Sequence, residues 1–266
     1  MNTLSLKKSI AAGLVSGAMT LALASTAQAV ETERQLELSS DGLKSFFIDS
    51  GAGSLEITGE KDLNKIIVDA AIEVDGVDND EAEKWFKKHM KLSLTEKDGK
   101  ATLQALFETN NSIFSFSNWT GERKIDLVVR MPEHLKLEVD DGSGDTSISN
   151  INAALEVDDG SGTLTINNIG GDTWVDDGSG DLYINHVTGD LVVDDGSGSL
   201  TIKDISGAVE IEDGSGSIDI REIGQKVYID DGSGSINACD IKGDLTIDDG
   251  SGDVDTCNIT GEVVVK

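Results

Sequence analysis

An acidic five-residue turn, DDGSG, recurs along the second half of this chain without losing register. It begins at Asp140, Asp158, Asp176, Asp194, Asp230 and Asp248, and a seventh copy, EDGSG, begins at Glu212. Consecutive copies start eighteen residues apart, with no insertion or deletion. A unit repeated this strictly is one rung of a structure that stacks on itself, because a rung of that size cannot bury its own apolar residues.

Aligning the rungs column by column gives the shape of one coil. In the rung that opens at Asp176, the apolar positions are Leu182, Ile184, Val187, Leu191 and Val193, with mostly polar residues between them. The Val187 column holds Ile151, Ile169, Ile205, Ile223, Ile241 and Ile259 elsewhere, and the Val193 column holds Val157, Val175, Ile211, Ile229, Ile247 and Val265. Period-two alternation marks strands with one buried face. A nine-residue echo, Gly180-Asp181-Leu182 against Gly189-Asp190-Leu191, makes each coil two short strands joined by two glycine-containing turns. The expected fold is therefore all-β: a parallel β-solenoid with eighteen-residue coils and rungs ~4.8 Å apart, preceded by an irregular β-rich N-terminal region with one helix.

Three segments follow. Residues 1–29 read as a secretory signal peptide: Lys7 and Lys8, an apolar run from Ile10 to Ala24, then Ala27-Gln28-Ala29 as a small-x-small cleavage site. The run is too short and too rich in small residues to span a bilayer, so an exported protein is expected, in the periplasm, at the cell surface or secreted. Residues 30–132 form the N-terminal region. Within it, Phe46 to Ile57 resembles a degenerate first rung, and Asn64 to Val74 is a strand by its β-branched content. Asp80 to Lys91 is a helix, with Asp80 and Glu83 as a capping box and Ala82, Phe86 and Met90 on one face. The KDGK turn at Lys97 to Lys100 closes a hairpin, Phe107 to Glu122 is a loop, and Ile125 to Arg130 is a strand before Pro132. Residues 133–266 are the solenoid.

Charge narrows the partners. The formal net charge is −29, and from Val139 onward 28 Asp and Glu face only five Lys and Arg. Such a block repels phosphate backbones and anionic lipid, which excludes nucleic acid as a partner. Cations, basic partners or plain solubility remain.

Stacking turns each recurrent residue into a file. Two carboxylates one rung apart repel by roughly 1 kcal/mol in a water-like dielectric and by more when buried. In one reading, one acid accepts hydrogen bonds from the Gly-Ser-Gly backbone and the other splays into solvent. In another, Ca²⁺ sits between rungs, with candidate ligands Asp140, Asp141, Asp158, Asp159, Asp176, Asp177, Asp194, Asp195, Asp213, Asp230, Asp231, Asp248 and Asp249. Calcium-binding β-rolls carry GGxGxD in each nine-residue half, whereas only one half of this coil is acidic. The turn serine is no nucleophile candidate, because His89, His134 and His186 do not track it and a catalytic serine needs a base in reach. A polysaccharide-active enzyme is the remote alternative, since a catalytic site would break the repeat locally and nothing inside this block does.

Two outward columns vary. One contains Trp174, Val192 and Tyr228 on a single face, a candidate surface for a glycan or protein of the cell envelope. Cys239 and Cys257 stand eighteen residues apart in one outward column. Neighbouring rungs place their Cα atoms near ~4.8 Å, within disulfide range, so a bond stapling the last rungs is predicted for an oxidising compartment. The C-terminal rung offers an open edge for self-association.

The lead-in to the repeat, IDLVVRMPEHLKLEVDDGSGDTSI from Ile125 to Ile148, feeds a strand, a proline and a second strand into rungs of the type Gly-x-Leu-x-Ile. It resembles the bacterial putative-adhesin family of β-strand-repeat proteins, from about residue 40 to the end. For function that resemblance implies only an exported, surface-associated protein; together with the unbroken repeat, the expected role is that of a non-enzymatic, adhesin-like binding or structural module of the envelope.

Overall fold

The computed structural model describes residues 30–75, 82–107 and 123–266. The expected signal peptide, the expected cap at Asp80 and the loop expected over residues 108–122 lie outside the described residues.

Two eleven-stranded sheets face each other across one continuous apolar core. The N-terminal region supplies β1 (Val30–Ser39), β2 (Ser45–Ala52), β3 (Leu55–Glu60), β4 (Lys65–Val74), α1 (Ala82–His89), β5 (Met90–Lys97), β6 (Lys100–Phe107) and β7 (Arg123–Pro132). The repeat then alternates between the sheets. The first sheet receives β9 (Thr146–Ile151), β11 (Gly162–Ile169), β13 (Gly180–Val187), β15 (Gly198–Ile205), β17 (Gly216–Ile223), β19 (Gly234–Ile241) and β21 (Gly252–Cys257). The second receives β8 (Lys136–Ser143), β10 (Leu155–Asp159), β12 (Thr173–Asp177), β14 (Leu191–Asp195), β16 (Val209–Asp213), β18 (Val227–Asp231), β20 (Leu245–Asp249) and β22 (Val263–Val265).

Every rung pairs with the next in parallel at the eighteen-residue register, as in Val157 against Val175 and Ile166 against Ile184. The five expected apolar positions are buried: Leu182, Ile184, Val187, Leu191 and Val193 are all at most 1% exposed. Enclosing each such side chain stabilises by roughly 1.5–3 kcal/mol relative to leaving it in water, so stacking drives the fold.

The degenerate rung is real. β2 lies in register between β6 and β8, and β3 between β7 and β9. The chain builds this rung, leaves to form β4 through β7 on its far side, and returns to lay the repeat on the near side. The sheets therefore run unbroken across residue 132.

The N-terminal end departs from the parallel pattern. β1 pairs antiparallel with β4, β4 with β7, and β5 with β6. The β5–β6 hairpin closes through Asp98 and Gly99, both at positive φ (54° and 83°), which the strand twist favours in a two-residue turn. The helix ends earlier than expected, at His89 rather than Lys91. Ala82 and Phe86 are buried on its inner face, but Met90 opens β5 opposite Phe107, because the ladder with β6 claims its backbone.

Candidate functional site: the acidic corner and the outward face of the short strands

Each DDGSG corner carries the chain from a short strand of the second sheet into a long strand of the first. Alternation along the short strand decides where its two acids go. In β12, Thr173, Val175 and Asp177 face the core, while Trp174 and Asp176 face outward. The first acids, Asp140, Asp158, Asp176, Asp194, Glu212, Asp230 and Asp248, accordingly form an outward file. The second acids form an inward one, in which Asp141, Asp159, Asp177, Asp195, Asp213 and Asp231 are buried and Asp249 is half-buried under the last rung. The thirteen aspartates named as candidate ligands are thus divided between two sides of a strand and do not converge. Among the described residues, no three or more His, Cys, Asp or Glu are grouped so as to hold a metal ion.

The Gly-Ser-Gly backbone answers part of the inward charge. Oδ1 of Asp177, Asp195, Asp213 and Asp231 accepts a hydrogen bond from the amide of the serine two residues on, at 2.9–3.1 Å. The glycines are demanded by stacking. A Cβ on Gly180 would lie 1.7 Å from the carbonyl oxygen of Gly162 in the preceding rung, and φ there is +149°. The first glycine of the corner is also tight: a Cβ on Gly178 would meet the Gly160 oxygen at 2.7 Å. That contact leaves room for a direct rung-to-rung bond, the Gly178 amide donating to the Asp159 carbonyl at 2.8 Å.

Burial disfavours the charged form of a carboxyl, and a like charge one rung away adds to the effect. Burial first, then the charges of Asp141 and Asp177, push Asp159 up to about 7. Burial with Asp213 and Asp177 pushes Asp195 to about 7, and burial with Asp231 pushes Asp213 to about 6. Asp141, Asp177 and Asp231 are also raised, chiefly by burial. In the outward file, burial and the stacked neighbours raise Asp140 and Asp176.

The opposite corner works differently. Asn150, Asn168, His186, Asp204, Glu222, Asp240 and Asn258 all adopt left-handed backbone, with φ between 55° and 61°. Their side chains pair along the stack: Asn168 donates to Asn150 at 2.7 Å, His186 meets Asp204 at 2.6 Å, and Asn258 donates to Asp240 at 2.9 Å. His186 is thereby held at the corner opposite the turn serines.

Trp174 and Val192 are direct register partners on the outward face of the second sheet, and Tyr228 stands two rungs further along the same column. They are 37–38% exposed, in a column otherwise filled by Glu138, Glu156, Glu210 and Thr246. Cys239 and Cys257 are bonded across the last two rungs of the first sheet, with Cα atoms 4.6 Å apart. A groove not anticipated from the sequence lies on the outer face of β1, β4 and β7, lined by Arg34, Gln35, Asp69, Asp126 and Val128. The Arg34 guanidinium pairs with Glu83 of α1 at 2.6 Å. Its residues come from three strands distant in sequence, so no local pattern marks them. Among the described residues, no helix is long and apolar enough to cross a membrane.

Fold and corner together define an acidic two-sheet β-solenoid capped by antiparallel strands at its N-terminal end. Residues 43–259 match the family described as Toastrack DUF4097, and the chain belongs to that family. No curated protein matches the chain. Among solved structures, a putative adhesin from Bacteroides fragilis is 15% identical, with 91% of this chain and 97% of that one covered and a TM-score of 0.42. A putative lipid binding protein from Parabacteroides distasonis is 14% identical, covering 89% and 96%, with a TM-score of 0.39. A putative cell adhesion protein from Clostridium sporogenes is 14% identical, covering 88% and 100%, with a TM-score of 0.28. Adhesion and lipid binding are said of those proteins.

Proposed function

We propose that this chain is an exported, non-enzymatic binding module of the bacterial cell envelope, and that it recognises its partner through the outward face of the second sheet. The observation that carries the reading is the exposed apolar column of Trp174, Val192 and Tyr228, set at fixed rung spacing on a rigid two-sheet spine. Aromatic rings on such a frame lose little conformational entropy on binding, and their faces suit sugar rings or a protein side chain. The leader-like residues 1–29 support export. A glycan array read with the wild-type chain tests this. Binding that falls at least tenfold in Trp174→Ala and Tyr228→Ala supports the face, and binding that persists unchanged in both removes it.

Calcium is a second reading, confined to the outward file, where burial and then stacked like charges raise Asp140 and Asp176. A thermal melt with calcium and with chelator tests it, an unchanged midpoint counting against the ion. The terminal strand β22, whose core-column residues Val263 and Val265 stay 43% and 50% exposed at the end of the stack, is where a second copy would add. A concentration-dependent mass in solution is the expected sign of that pairing.

A further inference from the structure

The core of the solenoid encloses a row of carboxyl groups with nothing basic to meet them. Asp141, Asp159, Asp177, Asp195, Asp213 and Asp231 follow one another in parallel register, none more than 4% exposed. Among the described residues, no Lys, Arg or His is buried.

The two oxygens of these carboxyls fare differently. In Asp177, Asp195, Asp213 and Asp231, Oδ1 takes the serine amide of its own corner while Oδ2 has no hydrogen-bond partner, and at Asp159 neither oxygen has one. The first rung shows what a satisfied site looks like. There, the Ser50 hydroxyl donates to Asp141 Oδ1 at 2.7 Å and the Thr146 hydroxyl donates to Oδ2 at 2.9 Å. Register makes Leu164, Leu182, Leu200, Ile218 and Ile236 the equivalents of Thr146 in later rungs, and none of them can donate.

A bare carboxylate oxygen in such surroundings calls for a positive partner. A calcium-like cation needs six to eight oxygens. The nearby carbonyls are already engaged: Asp159 O accepts from the Gly178 amide and Ser179 O from the Gly162 amide. A cation between two rungs would therefore draw on little besides two aspartate oxygens. A proton needs only two, one to hold it and one to accept from it.

We propose that the inward aspartate file is a proton-binding ladder, in which the protonated carboxyl of one rung donates its O–H to the carboxylate oxygen of the next. Each proton so held removes one like-charge repulsion and satisfies two oxygens. The charged groups that bear on the ladder are its own members and the outward acids one residue before them, Asp140, Asp158, Asp176, Asp194, Glu212, Asp230 and Asp248. The first sheet turns only Thr146 and aliphatic side chains toward it, and Ser50 closes its N-terminal end. The upward shifts of Asp159, Asp195 and Asp213 agree with this, burial leading and file neighbours following. The titration belongs to the row as a whole. Since the folded values lie above the ordinary aspartate value, the folded chain binds more protons than the unfolded one between about pH 4 and 7. The stabilisation is full below that window and is lost as pH rises through 6 to 7.

Two measurements on the full chain test the ladder. Infrared spectroscopy at pH 6 is expected to show the C=O stretch of protonated carboxyls, and unfolding in unbuffered urea at pH 6 should release about two protons per molecule. Asp195→Asn is expected to weaken the band and the release, whereas Asp194→Asn, which removes an equal charge from the outward file, should leave both in place. Absence of band and release in the wild-type chain overturns the proposal, whether or not the variants fold. So does equal weakening by the two substitutions. If calcium or potassium chloride abolishes the release while raising the melting midpoint, the file holds a metal ion and the ladder is refuted.

Discussion

Each coil turns twice, and both corners pack rung on rung, an added Cβ lying 2.3 Å from the preceding rung's backbone oxygen at Gly207 and 1.7 Å at Gly180, but only one of them repeats its sequence. The DDGSG corner brings rung against rung so closely that its glycines admit no Cβ, and it sends a carboxyl inward. The other corner uses left-handed backbone at φ near 60°, a conformation that Asn, Asp and His tolerate, and directs those side chains along the outside of the stack. One corner repeats nearly letter for letter, while the other changes residue at almost every rung. At the second corner the left-handed position changes from Asn168 to His186 to Asp204, with side chains that have solvent on one side, while its backbone stays the same.

The largest effect is expected from an attack on the rung-to-rung contact. Gly180→Ala places a methyl carbon where the Gly162 oxygen already stands, in a backbone region alanine avoids, and should cost ~3–5 kcal/mol of stability by urea denaturation. A loss below about 1 kcal/mol would show that the rungs separate easily, and the distinction between the corners would fail.

The eighteen-residue period made the architecture readable in advance. It placed Val187 and Val193 in the core, Trp174 and Tyr228 outside, and Cys239 beside Cys257, because a period-two pattern on a fixed repeat leaves no choice of face. The same pattern, carried two residues past Val193, puts Asp195 inside. The reading in which one acid accepts from the Gly-Ser-Gly backbone and the other splays into solvent agrees with the serine amides on Asp177, Asp195, Asp213 and Asp231, but it did not put that acid in the core, because a carboxylate is the side chain least expected there. The left-handed corner had its own signal in the column from Asn150 to Asn258, which holds mostly Asn, Asp and His. Of the antiparallel cap only the β5–β6 hairpin was readable, from its KDGK turn; the β1–β4 and β4–β7 pairings join segments distant in sequence and carry no repeat to fix their register.

The disulfide probes the same contact at the open end. By chain entropy, closing an eighteen-residue loop is worth about 3 kcal/mol, but in a stack where each rung touches only its neighbours the effect stays local. Reduction, or Cys239→Ser with Cys257→Ser, is expected to accelerate amide exchange in β20, β21 and β22 while leaving β9 to β13 protected. Uniform acceleration along the whole stack would mean that the rungs open as one unit.

A smaller and graded effect is expected from pH. Protonation of the inward acids stabilises below the ordinary aspartate value and is lost through pH 6 to 7. Glu138, held low by Lys100, and Asp126, held low by the Ser54 amide and Lys124 against its own burial, lose their contribution as pH falls below about 4. The melting midpoint should therefore peak near pH 4–5 and decline by several degrees toward pH 8. A midpoint that rises steadily from pH 5 to pH 8 would contradict the inward placement of the second acid.

The smallest effect belongs to the corner that varies. His186→Asn keeps a residue that accepts left-handed backbone and can still pair with Asp204, as Asn258 pairs with Asp240, so stability should stay within ~0.5 kcal/mol of wild type. His186→Val keeps a side chain of moderate size but forces a β-branched residue to φ near 60°, which should cost ~1–2 kcal/mol. The pair separates backbone from side chain, because both substitutions remove the imidazole and only one strains the turn. Equal losses would mean that the exposed His186–Asp204 contact sustains this corner, contrary to the small worth of exposed ion pairs; unequal losses, with valine the worse, would place the corner's requirement in its backbone alone.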